Sequence, residues 1–302
     1  MADESESNLF ADARQAPPRE LTRLSLRVRR LIAPNASPFT FNGTCTYIVG
    51  EGAVAVVDPG PADPSHLAAI LSAVEGERVE TVLVTHTHRD HSALANDLRQ
   101  ATGARIVGPP PFQPKGDDAG LDSSHDRAYA PDAVLTDGER FAARTFTIEA
   151  VATPGHCGEH LCLALLEERA LFSGDHVMAW STSVVAPPDG SMGAYMASLE
   201  KVRCRDETIY WPGHGGPVLE PQRYVRALAV HRRHREAAIL AALESGAETV
   251  PDLVAKVYVG LDTSLLRAAS LSTLAHLEDL RERGLIVAAE GSAFGELHFR
   301  RA

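Results

Sequence analysis

Short apolar runs, each closed by Gly, Pro, Asp or Glu, recur between residues 46 and 176. They read TYIVG, AVAVVDPG, VETVLVTH, ARIVGP, FTIEAVATPGH, LCLALLE and RALFSGDH. Runs rich in Val, Ile and Leu with turn residues at their ends predict β-strands. Between them, PSHLAAILSAVEG and HSALANDLRQATG have helical periodicity and end at glycine. Strands that alternate with helices predict an α/β layered domain.

The chain after residue 220 has a different pattern. A long helical stretch, PQRYVRALAVHRRHREAAILAALESG, precedes two shorter ones, TVPDLVAKVYVG and SLLRAASLSTLAHLEDLRERG, and then two strand-like runs, LIVAAE and ELHFR. Helix, helix and hairpin is the order of a small winged-helix-like module. We therefore divide the chain into a flexible N-terminal arm over 1–20, an α/β domain over 21–245 and a winged-helix-like domain over 246–302. Residues 109–131 and 178–192 are expected to be long loops.

Composition limits the classes of partner. The chain has 302 residues, with 29 Lys and Arg against 40 Asp and Glu, a net charge of −11. This acidic balance argues against indiscriminate binding to nucleic acid or to an anionic membrane. No run of about 18 apolar residues is present, so no membrane span is expected. The four cysteines lack a regular disulfide spacing and the N-terminus lacks an apolar signal core, which together predict a cytoplasmic protein.

The stretch THTHRDH, residues 85–91, directly follows the apolar run VETVLV. His86 and His88 are two positions apart, so in an extended segment both side chains face one shared ion. Asp90 and His91 turn into the following helix, where they can serve a second ion. An isolated His-x-His more often lies in an ordinary surface turn, but this longer pattern between a strand and a helix is much more specific.

Three further residues of ligand type also lie at the ends of apolar runs and beside glycine. They are His156 in VATPGHCGEH, Asp175 in RALFSGDH and His214 in IYWPGHGGP. Ligands gathered from separate strand ends form a rigid site on an α/β scaffold. The glycines let the backbone pass close to the ions.

With these motifs in this order, residues 20–240 resemble the metallo-β-lactamase superfamily. The resemblance implies an αββα sandwich, with the winged-helix-like domain following it. It also implies a complete set of metal ligands: His86, His88 and His156 for the first ion, Asp90, His91 and His214 for the second, and Asp175 between both. Asp58 in AVVDPG matches a buried family aspartate that supports the ligand loop. Capping a turn before Pro59 is an alternative role that would not exclude the first.

Such a site predicts a metal-dependent hydrolase. Two divalent ions hold a bridging hydroxide at neutral pH and polarise the oxygen of the scissile group. The histidine-rich set favours zinc, although manganese or iron also fit the bridging aspartate. Asp90 is expected to be catalytic as well as a ligand, because it is placed to orient the nucleophile. His160 is a candidate proton donor, but a packed role is favoured for a histidine that enters an apolar strand.

The segments outside the ligands resemble the β-lactamase-like protein 2 group. These are NGTCTYIVG, TPGHCGEHLCLALLEERALFSGDHV, MGAYMASLEKV and the winged-helix-like tail. Mitochondrial members of that group are endoribonucleases on single-stranded RNA, so the resemblance implies phosphodiester hydrolysis. The chain departs from the group in its acidic charge, in Thr87 and in the loops 109–131 and 178–192.

Other functions remain open. A thioesterase of the glyoxalase II type has the same ligands, and the arginines of RYVRALAVHRRHR could bind an anionic substrate, although such a run is usually a solvated face. A lactonase is a third possibility. The substrate is thus a small molecule or single-stranded RNA, and Trp180 and Ser181 after the bridging aspartate are expected near it.

The non-enzyme alternative is a DNA-binding regulator that uses the winged-helix-like tail. The stretch SLLRAASLSTLAHLEDLRERG has few positive charges, which makes duplex DNA an unfavourable ligand. Its leucines resemble a core stripe: Leu266, Leu271, Leu274, Leu277 and Leu280. Packing over the catalytic domain or pairing in a homodimer is therefore the expected role of the tail.

Overall fold

The structure, a computed structural model, describes residues 18–114, 124–289 and 298–302. They form two compact units. The first unit takes in the described residues up to Thr153, Glu159–Thr182 and Arg205–Pro221, and the second takes in Pro154–Gly158, Ser183–Cys204 and the described part of Gln222–Ala302. Most of the arm predicted over 1–20 lies outside the described residues. The linear division at residues 20 and 245 stays a prediction.

The first unit contains two β-sheets. The larger has seven strands in chain order: β1 (Thr22–Arg23), β2 (Val28–Ile32), β3 (Cys45–Glu51), β4 (Ala53–Val57), β5 (Arg78–Leu83), β6 (Arg105–Gly108) and β7 (Ala133–Val134). Neighbours from β1 to β4 pair antiparallel, and neighbours from β4 to β7 pair parallel. The nearly continuous apolar sequence of β4 suits a central strand whose two faces are both covered.

The smaller sheet has five strands. They are β8 (Arg140–Ala142), β9 (Thr147–Ala152), β10 (Leu161–Leu165), β11 (Ala170–Gly174) and β12 (Ile209–Pro212). Strands β8 to β11 pair antiparallel, and β12 joins β11 in parallel. The ends of β11 and β12 lead directly to Asp175 and His214, which places both residues at one edge of this sheet.

Alternation along the strands separates two apolar cores. Tyr47 and Val49 of β3 pack in a buried cluster with residues of the smaller sheet such as Ile148 and Phe172. Ile48, between them in sequence, faces the opposite side and belongs to a second cluster. Because successive side chains of a strand point to opposite faces, one strand contributes to both cores.

The second cluster packs helices against the larger sheet. Helix α1 (Pro64–Ala73) contributes Ile70, and α3 (Ala95–Thr102) contributes Leu98. Asp63 caps α1 by accepting a hydrogen bond from the His66 backbone N–H, and Gly103 ends α3 in the left-handed conformation. The short helix α2 (Arg89–Ser92) lies between α1 and α3 in sequence. These observations confirm the predicted strands and helices of the α/β part.

The second unit is mainly helical. Its elements are α4 (Met192–Arg203), α5 (Pro221–Glu244), α6 (Val250–Val257), α7 (Leu266–Glu282) and the antiparallel pair β13 (Ile286–Ala289) and β14 (His298–Arg301). Residues of α5 to α7 and of both strands share one buried cluster. The predicted helix, helix and hairpin order is therefore confirmed. The segment between the two strands lies outside the described residues.

Two sequence expectations need refinement. Leu274, Leu277 and Leu280 are buried as predicted for a core stripe, whereas Leu266 is 43% exposed because it begins α7. Residues 115–123 of the predicted loop 109–131 lie outside the described residues. Residues 109–114 and 126–131 of that loop, and residues 178–191 of the loop 178–192, contain no helix or strand.

Candidate metal centre

The loop that follows β5 brings several imidazoles together. His86 and His91 are fully buried, and His88 lies between them in sequence as a half-buried residue. The His86 Nε2 atom is 3.1 Å from the His88 Nδ1 atom. The two nitrogens thus lie close together in the first unit, and binding of a shared ion by His86 and His88 stays a prediction.

A second group of donor atoms converges beside the first. It comprises Nε2 of His91, Nε2 of His214, one Asp90 oxygen and one Asp175 oxygen, and five of the distances among these atoms are 3.3 or 3.4 Å. Ligands at about 2.0 to 2.2 Å around a tetrahedral zinc ion lie about 3.3 to 3.5 Å from each other. The four atoms therefore have the mutual spacing of ligands around one ion. His86, His91 and Asp175 form a further group of three donors within 4.8 Å of one another.

Hydrogen bonds fix which imidazole nitrogens are available. Nδ1 of His91 lies 3.0 Å from Asp58 Oδ2, and Nδ1 of His214 lies 3.4 Å from the Gly43 carbonyl oxygen. Both partners accept hydrogen bonds, so each neutral ring has its proton on Nδ1. In the neutral rings, the form in which imidazole binds a metal, the lone pairs of both Nε2 atoms face each other at 3.3 Å. A cation between them removes this repulsion, so the donor set fits a metal ion.

Asp58 organises two of the histidines. Its carboxylate accepts hydrogen bonds from the Thr85 backbone N–H and hydroxyl, both at 2.8 Å, as well as from His91. Because the Thr85 hydroxyl donates to Asp58, its oxygen accepts from Nδ1 of His86 at 3.0 Å. Nε2 of His86 therefore also keeps its lone pair. Asp58 thus contacts the ligand loop, and its support of metal binding stays a prediction.

Charge in this cluster is balanced internally. Burial lowers the pKa of His91, but the carboxylates of Asp90 and Asp175 outweigh burial and hold it well above its ordinary value. Burial also lowers the pKa of His214, but the carboxylates of Asp175 and Asp90 outweigh burial and raise this pKa to about 10. Burial raises the pKa of Asp175, yet the two histidines hold it well below its usual range. The carboxylates stay ionised and attract positive charge to this point.

His160 holds Asp175 in place. Its Nδ1 atom is 2.8 Å from the Thr153 hydroxyl, and its Nε2 atom accepts the Asp175 backbone N–H at 3.2 Å. The side chain is 1% exposed. Both ring nitrogens are engaged, which agrees with the packed role favoured from the sequence.

Two glycines, Gly174 and Gly213, allow neighbouring side chains of the site to lie close to the backbone. A Cβ atom on Gly213 would lie 2.6 Å from both Asp175 Oδ1 and His91 Cε1. A Cβ atom on Gly174 would lie 2.6 Å from His160 Nε2. Both positions therefore require glycine for steric reasons, as the glycines beside the ligands suggested.

The sequence did not predict several residues that contact the proposed metal ligands or their loop. The Thr44 hydroxyl donates to Asp90 Oδ2 at 3.1 Å. The Thr87 backbone N–H and hydroxyl both donate to Glu159 Oε1, at 3.2 and 2.6 Å, and the hydroxyl also lies 2.7 Å from His125 Nδ1. The His125 ring stacks on Phe112. Thr44 stands in NGTCTYIVG and Thr87 stands inside the ligand motif, but no spacing rule indicated their partners.

The structure places His156 in the second unit. Its Nδ1 atom is 2.6 Å from the Val184 carbonyl oxygen, which leaves Nε2 as the ring nitrogen with a lone pair. Its membership of the ligand set stays a prediction.

Trp180 and Ser181 follow β11 within the first unit. The Trp180 ring stacks on Phe41 with 4.9 Å between ring centroids, and it lies beside Gly215, next to His214. The Ser181 hydroxyl donates to the Thr182 carbonyl oxygen at 3.4 Å. Contact of Trp180 and Ser181 with substrate stays a prediction.

Comparison with known proteins identifies both parts of the chain. The family model described as "Metallo-beta-lactamase superfamily" matches residues 39–214, and "Beta-lactamase associated winged helix domain" matches residues 249–294. Two curated relatives are similar over most of the chain. One is "Beta-lactamase-like protein 2 homolog" of Caenorhabditis elegans, 30% identical over 88% of each chain. The other is "Atrochrysone carboxyl ACP thioesterase" of Aspergillus fumigatus, 32% identical over 80% of this chain and 72% of the relative.

A solved structure agrees on the fold. A beta-lactamase domain protein from Burkholderia ambifaria superposes with a TM-score of 0.82 and covers 99% of both chains, at 23% sequence identity. Within residues 18–114, 124–289 and 298–302, none of the helices combines the length and the apolar character needed to cross a membrane.

Proposed function

The chain belongs to the metallo-β-lactamase superfamily and is a hydrolase of that fold, and from this premise we propose that it uses two divalent metal ions to cleave acyl thioesters. The observation that carries the metal-dependent part is the convergence of His91, His214, Asp90 and Asp175 at 3.3 to 3.4 Å. The choice of a thioester as substrate is supported by the chemistry of the leaving group and by a relative that is named a thioesterase.

The proposed ligand sets follow the sequence expectation. Asp90, His91 and His214 would hold one ion, and Asp175 would contact both. His86 and His88, whose nitrogens lie 3.1 Å apart, would hold the other ion together with His156. Zinc suits the imidazole-rich donors, and manganese or iron suits the carboxylates.

Bound there, the ions would lower the pKa of water to near neutrality and polarise the oxygen of the scissile group. The protein's own residues supply the orientation. Asp90 is partly exposed, with 30% of its side chain accessible, and so borders the space open to substrate. Its Oδ2 atom accepts from Thr44, which holds the carboxylate in one rotamer to accept a proton from the attacking water. Asp58 keeps the Nε2 lone pairs of His86 and His91 directed at the ions.

The leaving group favours a thioester. A thiol has a pKa of about 8.5, so a thiolate departs without a strong proton donor, whereas the alkoxide released from RNA requires one. His160, the residue considered for that task, has both ring nitrogens engaged by Thr153 and Asp175. The Aspergillus fumigatus relative is named a thioesterase, which supports the same choice.

Cleavage of single-stranded RNA is the second candidate. The observation in its favour is that the similarity to the Caenorhabditis elegans relative extends over 88% of each chain, which agrees with the resemblance to the β-lactamase-like protein 2 group. A lactone is the further alternative, because the same nucleophile attacks esters.

The test is a parallel assay of the zinc-loaded and the manganese-loaded protein on an acyl N-acetylcysteamine thioester, an acyl lactone and a single-stranded RNA oligonucleotide. We expect thioester turnover that the Asp90→Ala variant loses. The Asp97→Ala variant, which alters an exposed carboxylate on α3, should keep it. RNA cleavage lost in Asp90→Ala, without thioester turnover, would replace the proposal by the second candidate.

A further inference from the structure

Helix α5 of the second unit has one buried face and one exposed face. Val225, Leu228 and Ile239 are buried, and Ile239 packs in the apolar cluster of this unit. Arg232 lies on the same inner side, where its guanidinium donates to the Ser183 carbonyl and lies 5.2 Å from the centre of the Tyr195 ring. Arg235 donates to the Val257 carbonyl at 2.8 Å and stacks over Tyr258. These two arginines are therefore used within the unit.

The opposite face is basic. At 100° per residue one arc of α5 carries exposed residues only: Arg223, Arg226, Val230, Arg233, His234, Ala237, Ala241 and, at the end of the helix, Glu244. We call this set the basic face. Val230, 39% exposed, stands between Arg226 and Arg233. Against three arginines and one histidine this arc carries one carboxylate, Glu244 at the last residue of the helix, although the chain as a whole has a net charge of −11.

The nearby carboxylates of the second unit already have cationic partners. Glu236 pairs with Arg283 at 2.8 Å, and Glu244 pairs with Arg301 at 3.2 Å. Glu200, which lies near Arg233, is bound by the side chain of Arg203. The two carboxylates of α5, Glu236 and Glu244, are thus engaged by arginines that lie outside the basic face.

We propose that the basic face is a docking surface for an acidic carrier protein that presents the acyl thioester. This inference rests on the proposed thioesterase function and names its partner. Complementary charge would steer the acidic carrier to a chain that otherwise repels it. Val230 supplies an apolar contact at the centre, with arginines around it, in the pattern of protein interfaces whose core is less charged than the rim.

A carrier protein fits this surface better than RNA does. A polyanionic strand binds through many phosphate contacts, and the large negative charge of this chain opposes it over its whole length. Three arginines around a valine instead match a compact acidic helix. The Aspergillus fumigatus relative is also named as a thioesterase of an acyl carrier protein (ACP).

The experiment compares Arg226→Glu/Arg233→Glu with the matched control Arg267→Glu/Arg281→Glu, which changes the same charge at exposed positions of α7. Each protein is assayed on an acyl group carried by an acidic acyl carrier protein and on the same acyl group as an N-acetylcysteamine thioester. Binding of fluorescently labelled holo carrier protein is measured by anisotropy at low and high salt.

We expect the basic-face variant to raise KM for the carrier-bound substrate about ten-fold, weaken carrier binding similarly and lose its salt dependence. Turnover of the N-acetylcysteamine thioester should stay unchanged, and the control should behave as wild type. Equal carrier binding by wild type and variant would overturn the docking surface. Wild-type protein that binds the carrier but hydrolyses neither thioester would refute the proposed function and leave the docking surface supported.

Discussion

The carboxylate of Asp58 accepts a hydrogen bond from Nδ1 of His91 at 3.0 Å, while His91 directs Nε2 to within 3.3 Å of the His214 Nε2 atom. One buried carboxylate thereby determines which nitrogen of His91 can bind a metal. Because Thr85 connects Asp58 to His86 as well, the same carboxylate orients histidines assigned to both proposed ions.

Replacing Asp58 should therefore weaken metal binding without removing a ligand. In Asp58→Asn the amide can turn an N–H toward His91, so the ring no longer has a fixed proton position. We expect a 10- to 100-fold loss of metal affinity, the usual effect of removing such a partner. Competition with a chromogenic chelator measures it, and Asp97→Asn is the matched control. An affinity equal to wild type would show that the ligands hold their orientation without Asp58.

Gly213 should tolerate no side chain. Its backbone is not in the left-handed region, so Ala is conformationally allowed, and only the 2.6 Å approach of its Cβ to Asp175 and His91 opposes it. We expect Gly213→Ala to fold with a wild-type circular dichroism spectrum but to bind far less metal. Metal content measured after dialysis decides this, and a full complement in the variant would contradict the steric account.

Glu159 should stabilise the ligand loop through Thr87. Glu159→Ala removes the acceptor of two Thr87 hydrogen bonds and leaves buried donors unsatisfied, so His88 should lose its fixed position. We expect about ten-fold weaker binding of one metal ion and little change for the other. Isothermal titration of metal-free protein separates the two binding steps. Glu75→Ala, on an exposed carboxylate, is the control, and parallel weakening of both steps would refute a local effect.

Buried His276 should make stability depend on pH. Burial, and then the nearby charges of Arg232, Arg235, His231 and Arg283, lower its pKa to about 3, whereas an unfolded histidine titrates near 6.5. The contribution of neutral His276 to the free energy of unfolding is fully present above about pH 6.5. As the pH falls from there toward 3, the free energy of unfolding decreases by about 1.4 kcal/mol per pH unit. Urea unfolding at pH 7.5 and 5.0 should show a larger loss for wild type than for His276→Leu. Equal losses would mean that His276 does not titrate in this way.

The sequence predicted the elements well where its periodicity was strong, as in β3 to β6 and in α7. It also located the ligand loop, because His86, His88, Asp90 and His91 are close in the chain. It could not predict Thr44, Glu159 or His125, whose contacts with the site join residues 38 to 72 positions apart. The grouping of 154–158 and 183–204 with the C-terminal helices likewise depends on packing between distant segments.

The most direct test of the metal centre is to measure how many metal ions each chain binds. Wild type, His214→Ala and Asp175→Ala are loaded with zinc, and the bound metal is quantified by inductively coupled plasma mass spectrometry. We expect about two ions per chain in wild type, about one in His214→Ala and weak binding of both in Asp175→Ala. Wild-type protein that retains no metal, or a His214→Ala variant that retains two ions with wild-type affinity, would contradict it.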